Sequence, residues 1–177
     1  MNLYNKKLKT IIILVYSLLG LTFIFYMIGT KINTTKSIPL GIYIKDKAVY
    51  KKGDYVIFCP PENDFMKEAR SRGYIGKGFC PGEYGKMMKQ VVAIEGDIVS
   101  FSDKGISVNQ KNLAFSEPKK IDMHGRILSH FQYQTIKLHI NEVLLMTNNN
   151  ELSFDGRYFG PINIRQIESV IRSLWTW

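Results

Sequence analysis

Ser37 lies in Thr35-Lys36-Ser37-Ile38-Pro39-Leu40-Gly41-Ile42-Tyr43, a setting stiffer than that of an average surface serine. Pro39 fixes its own φ and pushes Ile38 into an extended conformation, and Gly41 permits a bend before an alternating run. A hydroxyl held this way can act as a nucleophile when a base lies within reach; the same residue can equally be a polar linker serine. A second stretch, Met87 to Ile94, carries Lys89 among apolar residues, with Gln90 as the one other polar side chain. Read as a strand, it puts Met87, Lys89, Val91 and Ala93 on one face and Met88, Gln90, Val92 and Ile94 on the other, so the strand is expected to be buried. Burial disfavours the charged amine. Lowering a lysine from about 10.4 to near 7–8 takes on the order of 4 kcal/mol. A lysine in that state is a base, whereas a structural lysine would snorkel its amine to the surface. His124, His130 and His139 lie in polar loop or strand contexts and indicate no Ser/His/Asp arrangement. A Ser–Lys dyad would need a buried neutral lysine, and Lys89 is placed to be one.

These residues need a setting. The 18 residues from Ile11 to Ile28 carry no charge, and Thr10, Gly29 and Thr30 extend the run. About 20 residues of helix span a bilayer core. The exit, Met27-Ile28-Gly29-Thr30-Lys31, lacks the small-x-small pattern of a cleavable leader, so the segment reads as an uncleaved anchor. Lys6, Lys7 and Lys9 precede it and no acid does, which places that end in the cytoplasm. The expected division is a cytoplasmic end over 1–9, an anchor over 10–30 and a domain over 31–177 in the periplasm or outside. The net charge is +9, and without those three lysines +6 remains, spread out rather than gathered in a stripe. A nucleic-acid surface would be denser and interleaved with aromatics; attraction to an anionic membrane surface suits this charge better. Outside the cytoplasm the only two cysteines, Cys59 and Cys80, are most simply a disulfide. Zinc is the alternative, but the two cysteines and three scattered histidines lack ligand spacing.

The remainder reads as an all-β domain. Alternating or apolar runs predict strands over 41–49, 55–59, 87–94, 98–101, 106–108, 113–115, 131–140, 143–147 and 167–175. Residues 62–72 break the pattern: Asn63 is a candidate N-cap, Phe65, Met66 and Ala69 share a helical face, and Gly73 can close the helix. A Gly-rich loop follows through Gly85. Residues 162–166 read as a helical turn.

Three stretches in order carry a resemblance: Ser37-Ile38-Pro39-Leu40-Gly41-Ile42-Tyr43, Lys89-Gln90-Val91-Val92-Ala93-Ile94-Glu95-Gly96-Asp97, and Ser153-Phe154-Asp155-Gly156-Arg157-Tyr158-Phe159-Gly160. Together the chain resembles the signal peptidase I superfamily, and within it the conjugative-transfer, TraF-type branch. Phe58-Cys59-Pro60-Pro61, Cys80-Pro81-Gly82 and the segment from Asp122 to Arg126 add to the likeness. The resemblance implies that Ser37 is the nucleophile and Lys89 its general base. It implies that the Thr35 hydroxyl assists the Ser37 N–H in an oxyanion hole and that Ser153 orients the lysine amine. Asp155 and Arg157 match a pair bracing the site; a carboxylate against the base would raise its pKa, so Asp155 is expected on Arg157 rather than on Lys89. The family usually has Arg and Pro where this chain has Gln90 and Glu95. The conjugative branch commonly has a second Gly after Cys-Pro-Gly and a Pro before the Lys strand, where Glu83 and Gly85-Lys86 stand here. Gly156 replaces a usual Ser.

What the resemblance implies is a membrane-anchored serine endopeptidase of the bacterial inner membrane, working through an acyl-enzyme and needing no cofactor or metal. Its implied partner is an exported, pilin-like precursor with small residues at the cleavage site, supplied by a conjugative or type IV secretion system. Inner-membrane lipid is the second partner, and no nucleic acid is expected. The alternatives are a housekeeping type I signal peptidase and a catalytically inert, membrane-anchored binding module.

Overall fold

The computed structural model describes residues 3–177. Helix α1, Leu3–Met27, is 25 residues long, about 37 Å at 1.5 Å per residue. Within it Lys6–Phe25 is long and apolar enough to cross a membrane. No part of the domain covers that stretch: its large apolar side chains from Leu8 to Phe25 are exposed. The helix starts before the uncharged run because Lys6, Lys7 and Lys9 are themselves good helix formers.

The domain is mostly β. Strands β1 (Thr30–Asn33), β2 (Gly41–Asp46), β3 (Tyr55–Phe58), β4 (Lys77–Cys80), β5 (Met87–Ala93) and β6 (Ile98–Ser102) are followed by β7 (Gly105–Val108), β8 (Lys111–Asn112), β9 (Thr135–Lys137), β10 (Glu142–Met146), β11 (Ile162–Asn163) and β12 (Ile167–Thr176). Seven of them form one sheet in the order β1-β2-β12-β3-β5-β10-β11, and four a second in the order β8-β7-β6-β9. Ala93, Val99, Phe101, Ile106, Leu138, Leu144 and Met146 fill the core that joins the two sheets. A second core of Val56, Phe58, Val91, Val143, Leu145, Ile162 and Val170 lies on the large sheet.

The helical excursion leaves the large sheet after β3. Helix α2, Asp64–Ser71, begins at Asn63, whose side chain accepts from the Met66 N–H at 2.8 Å. It ends at Gly73, which takes φ +84° and so uses a conformation that a side chain resists. Met66 and Ala69 are buried, and with Ile75, Cys80 and Tyr84 they give the excursion a small core of its own. The Cys59–Cys80 disulfide, with Cα atoms 5.5 Å apart, ties that core back to β3. The two cysteines are bonded to each other, so neither offers a thiolate to zinc.

Several local expectations shift. Residues 111–112 rather than 113–115 form the strand, because Asn109 and Gln110 both take positive φ (49° and 68°) and close a two-residue hairpin. Only Thr135–Lys137 of the 131–140 segment pairs, against Ile98–Ser100. The expected glycine loop contains β4, whose residues bridge to Tyr84. Strand β5 is buried on one face from Lys89 onward: Lys89, Val91 and Ala93 are buried, while Met87 at its start and Met88, Gln90 and Val92 on the other face are half-buried. Gln90 explains the difference, its amide donating outward to the Gly53 carbonyl at 3.0 Å. Helix α3, Gly156–Phe159, is a turn that periodicity could not reveal in four residues.

Candidate active site

Ser37 sits on loop 34–40, which joins β1 to β2 as a hairpin with Asn33 opposite Gly41 at its neck. The loop is not free. Ile38 is 1% exposed and plugs a cluster with Tyr43, Ile57 and Ile171. The Tyr43 hydroxyl donates to the Pro39 carbonyl at 2.7 Å. Pro39 therefore stiffens the segment while Ile38 anchors it, and Ser37, one residue earlier, is left half-buried at the surface.

Lys89 comes from β5, whose two neighbours, β3 and β10, hold its backbone on both sides. It lies opposite Val56, itself fully buried. At 2% exposure the side chain does not snorkel. Its Nζ lies 2.8 Å from Ser37 Oγ and 2.6 Å from Ser153 Oγ. Burial is the largest influence on the amine and lowers its pKa; Asp155 opposes this and Arg157 adds to it, leaving Lys89 at about 8 instead of 10.5. An amine that readily exists in neutral form, at hydrogen-bond distance from a hydroxyl, has the geometry and the pKa for taking the hydroxyl proton.

The segment after β10 supplies the third member. Arg157 and Asp155 are both fully buried and form a two-pronged pair, Nε to Oδ1 at 2.8 Å and Nη2 to Oδ2 at 3.0 Å. Asp155 also caps α3 by accepting from the Arg157 N–H, and it accepts from the Thr147 N–H at 3.1 Å. Arg157 reaches back to the Glu151 carbonyl at 2.9 Å. This network fixes both ends of the short stretch bearing Ser153, which is 4% exposed. Gly156 makes the packing possible: a Cβ there would meet Leu144 Cδ1 at 2.6 Å and the Leu145 carbonyl at 2.9 Å.

The structure thus brings Ser37 and Ser153 each into contact with Lys89 and holds Asp155 and Arg157 together as a pair. Thr35 lines the same cleft, but its hydroxyl donates to Asn33 Oδ1 at 3.0 Å. Cys59 and Cys80 lie away from the dyad and act through the excursion they hold. Tyr74 and Ile75 of that excursion join Ile32, Met87, Met88 and Phe154 around a cleft of about 250 Å³ that opens on Ser37 and Lys89. Sequence reasoning missed these wall residues and Asn33, which is 4% exposed and makes five side-chain contacts to the Ser37 loop. Nothing in the sequence marks Asn33, because strand β1, which it ends, shows no pattern of its own there.

The chain is similar to several known proteins. The family described as signal peptidase, peptidase S26, matches residues 5–177. A plasmid transfer protein TraF of Escherichia coli is 51% identical over 152 residues, which is 86% of each chain. A conjugal transfer protein TraF of Agrobacterium fabrum is 32% identical over 151 residues, 84% of each chain. A signal peptidase I of Enterococcus faecalis aligns over 71% of this chain and 98% of its own at 15% identity, with a TM-score of 0.41, too low to rest anything on. Matched from its N-terminal helix to its last strand, and sharing about half its residues with one relative, the chain belongs to the signal peptidase family, peptidase S26.

Proposed function

We propose that this chain is a membrane-anchored serine endopeptidase that processes an exported, pilin-like precursor for a conjugative or type IV secretion system. The observation that carries the reading is the position of a buried, pKa-lowered Lys89 amine between two hydroxyls, 2.8 Å from Ser37 Oγ. The precursor segment lies extended in the cleft, pairing as an added strand, and the cleft's modest volume favours small side chains beside the scissile bond. Neutral Lys89 takes the Ser37 proton as Oγ attacks the scissile carbonyl. The oxyanion is held by the Ser37 N–H and by the Thr35 hydroxyl once it turns from Asn33, each such donor contributing about 3 kcal/mol. The intermediate collapses, the C–N bond breaks, and the Lys89 ammonium returns its proton to the leaving amine. Lys89 then takes a proton from water as it attacks the acyl-enzyme, and hands that proton to Ser37 Oγ as the acyl C–O bond breaks, which frees Ser37 and restores the neutral amine. Ser153 holds the amine throughout, and the Asp155–Arg157 pair braces the stretch that carries Ser153.

The anchor over 10–30 holds the domain over 31–177 at the outer face of the bacterial inner membrane, with Lys6, Lys7 and Lys9 in the cytoplasm. The lysine asymmetry supports this orientation, and a formed disulfide fits an oxidising compartment. Names of the relatives, plasmid and conjugal transfer proteins, support the choice of substrate class. The deciding experiment incubates purified full-length protein with a candidate pilin precursor and identifies the new termini by mass. Ser37→Ala, Lys89→Ala and Lys89→Arg should each abolish processing, the last because a guanidinium keeps its proton. Processing that survives Ser37→Ala or Lys89→Ala sinks the Ser–Lys dyad, and a wild type that binds the precursor without cleaving it is a binding module. Cleavage of many unrelated exported proteins at similar rates would replace the dedicated substrate with a housekeeping role.

A further inference from the structure

We infer that Asn33 is a positioning residue for the nucleophile: its side-chain amide ties the neck of loop 34–40 and holds the Ser37 hydroxyl against Lys89. The inference rests on the Ser–Lys reading above and names the group that sets its geometry.

Lys89 and Ser37 are held by very different means. Lys89 rises from a strand bonded on both sides, and Ser153 fixes its tip. Ser37 rides on a seven-residue hairpin loop, and among the described residues the bond its side chain makes is the one to Lys89. Something must fix the loop, and Asn33 reaches across it. The two hydrogens of Asn33 Nδ2 are shared among three carbonyls, those of Thr35 at 2.8 Å, Ile38 at 2.9 Å and Pro39 at 3.0 Å, so one bond is three-centred. Its Oδ1 accepts from the Thr35 N–H at 3.2 Å and the Thr35 hydroxyl at 3.0 Å. The bonded residues bracket Ser37 on both sides.

Chemistry settles which way the amide points. Three carbonyl oxygens can be faced only by donors, so Nδ2 belongs there and Oδ1 faces the Thr35 N–H and O–H. A carboxamide is the one neutral side chain of this length that donates twice and accepts on the other side. An aspartate keeps the shape but sets oxygen against three oxygens. An alanine leaves the carbonyls and the Thr35 N–H without their partner. Asn33 also ends β1, opposite Gly41, so its backbone is set by the strand before its side chain acts. The clamp is therefore preformed and does not wait for substrate.

The test uses full-length protein in detergent micelles, comparing wild type with Asn33→Asp and Asn33→Ala. A peptide spanning the precursor cleavage site serves as substrate. The expected result is a fall in kcat of about 100-fold, the scale of a misplacement near 1 Å, with KM nearly unchanged. The acid limb of the pH profile should keep its midpoint in Asn33→Ala, because the burial and the Asp155 and Arg157 charges that set the Lys89 pKa are left in place, whereas Asn33→Asp adds a negative charge and should move it upward. Hydrogen exchange should quicken at the amides of 34–40 and stay unchanged on β5 and β10. Unchanged kcat overturns the inference. So does a fall in kcat accompanied by faster exchange throughout the domain, which would make Asn33 merely structural. If wild type cleaves nothing, the dyad reading fails, and exchange alone judges the clamp: quickening confined to 34–40 supports it, and equal exchange in all three proteins overturns it.

Discussion

Replacing Lys89 by methionine removes the proposed base and also a stability cost that the fold carries for it. The amine is buried with its pKa lowered from 10.5 to about 8. At about 1.4 kcal/mol per pH unit, the charged form is disfavoured in the folded chain by about 3 kcal/mol. The sign follows from linkage. Between about 8 and 10.5 the unfolded chain binds a proton that the folded chain has lost, so wild-type stability rises with pH through that window. The cost is full below about 8 and fades as pH approaches 10.5. Methionine carries no such cost, but it leaves Ser153, which is buried, without its bond to the amine, a loss of about 1–3 kcal/mol at any pH. The hydroxyl loss cancels when two pH values are compared. The advantage of Lys89→Met over wild type should therefore shrink by about 2 kcal/mol from pH 6.5 to pH 9.5, or about 4–8 °C in Tm for a domain of this size. Thermal unfolding of both full-length proteins in the same micelles, followed by tryptophan fluorescence, measures it. A Tm difference that does not change with pH would refute the argument, showing either that the amine stays charged in the fold or that water reaches it.

Three other outcomes follow from the same geometry. Asp155 raises the Lys89 pKa, so Asp155→Asn should move the acid limb of kcat/KM below pH 8; it should also destabilise the domain by about 3–5 kcal/mol, because Arg157 stays buried without its partner. A limb that moves upward would contradict the assignment. Replacing Cys59 and Cys80 together by serine frees a loop with a sequence separation of 21, which costs about 3 kcal/mol on the chain-entropy account; exchange should rise first over 64–85, and unchanged exchange there would count against the tether. Gly41→Ala should abolish processing and lower Tm, since its Cβ would meet the Trp175 carbonyl at 2.3 Å and push β12 from the nucleophile hairpin; wild-type kinetics in that variant would contradict the close approach.

Ser37 and Lys89 stand out locally, a hydroxyl on a proline-stiffened turn and a cation in an apolar strand, but each alone reads equally as a linker serine or a snorkelling lysine, and only the resemblance carried by three ordered stretches pairs them. The helical excursion was legible for a related reason, since the Asn63 cap and the Gly73 exit are local signals. Other features depend on register, which local pattern does not encode. Whether Lys89 snorkels is decided by what meets its amine, and the two hydroxyls that do so come from the β1–β2 loop and from the segment after β10, far from it on either side in the chain. Asn33 reads as an ordinary loop residue until β1 and β2 pair, because only then do three carbonyls converge on its amide. The turn at Asn109-Gln110 was blurred because four polar residues run together there and any two could have closed the hairpin.

The place of β12 has a consequence for how the molecule is made. This strand is the last in sequence yet lies between β2 and β3, bonded to both. Its far end also donates from the Trp177 N–H to the Leu40 carbonyl, at the base of the Ser37 loop. Until residues 167–177 exist, β2 and β3 have no strand between them, and the nucleophile hairpin lacks one of its supports. A chain emerging N-terminus first therefore carries Ser37 and Lys89 long before it can align them. Synthesis order itself withholds the alignment of Ser37 with Lys89 until residues 167–177 have emerged.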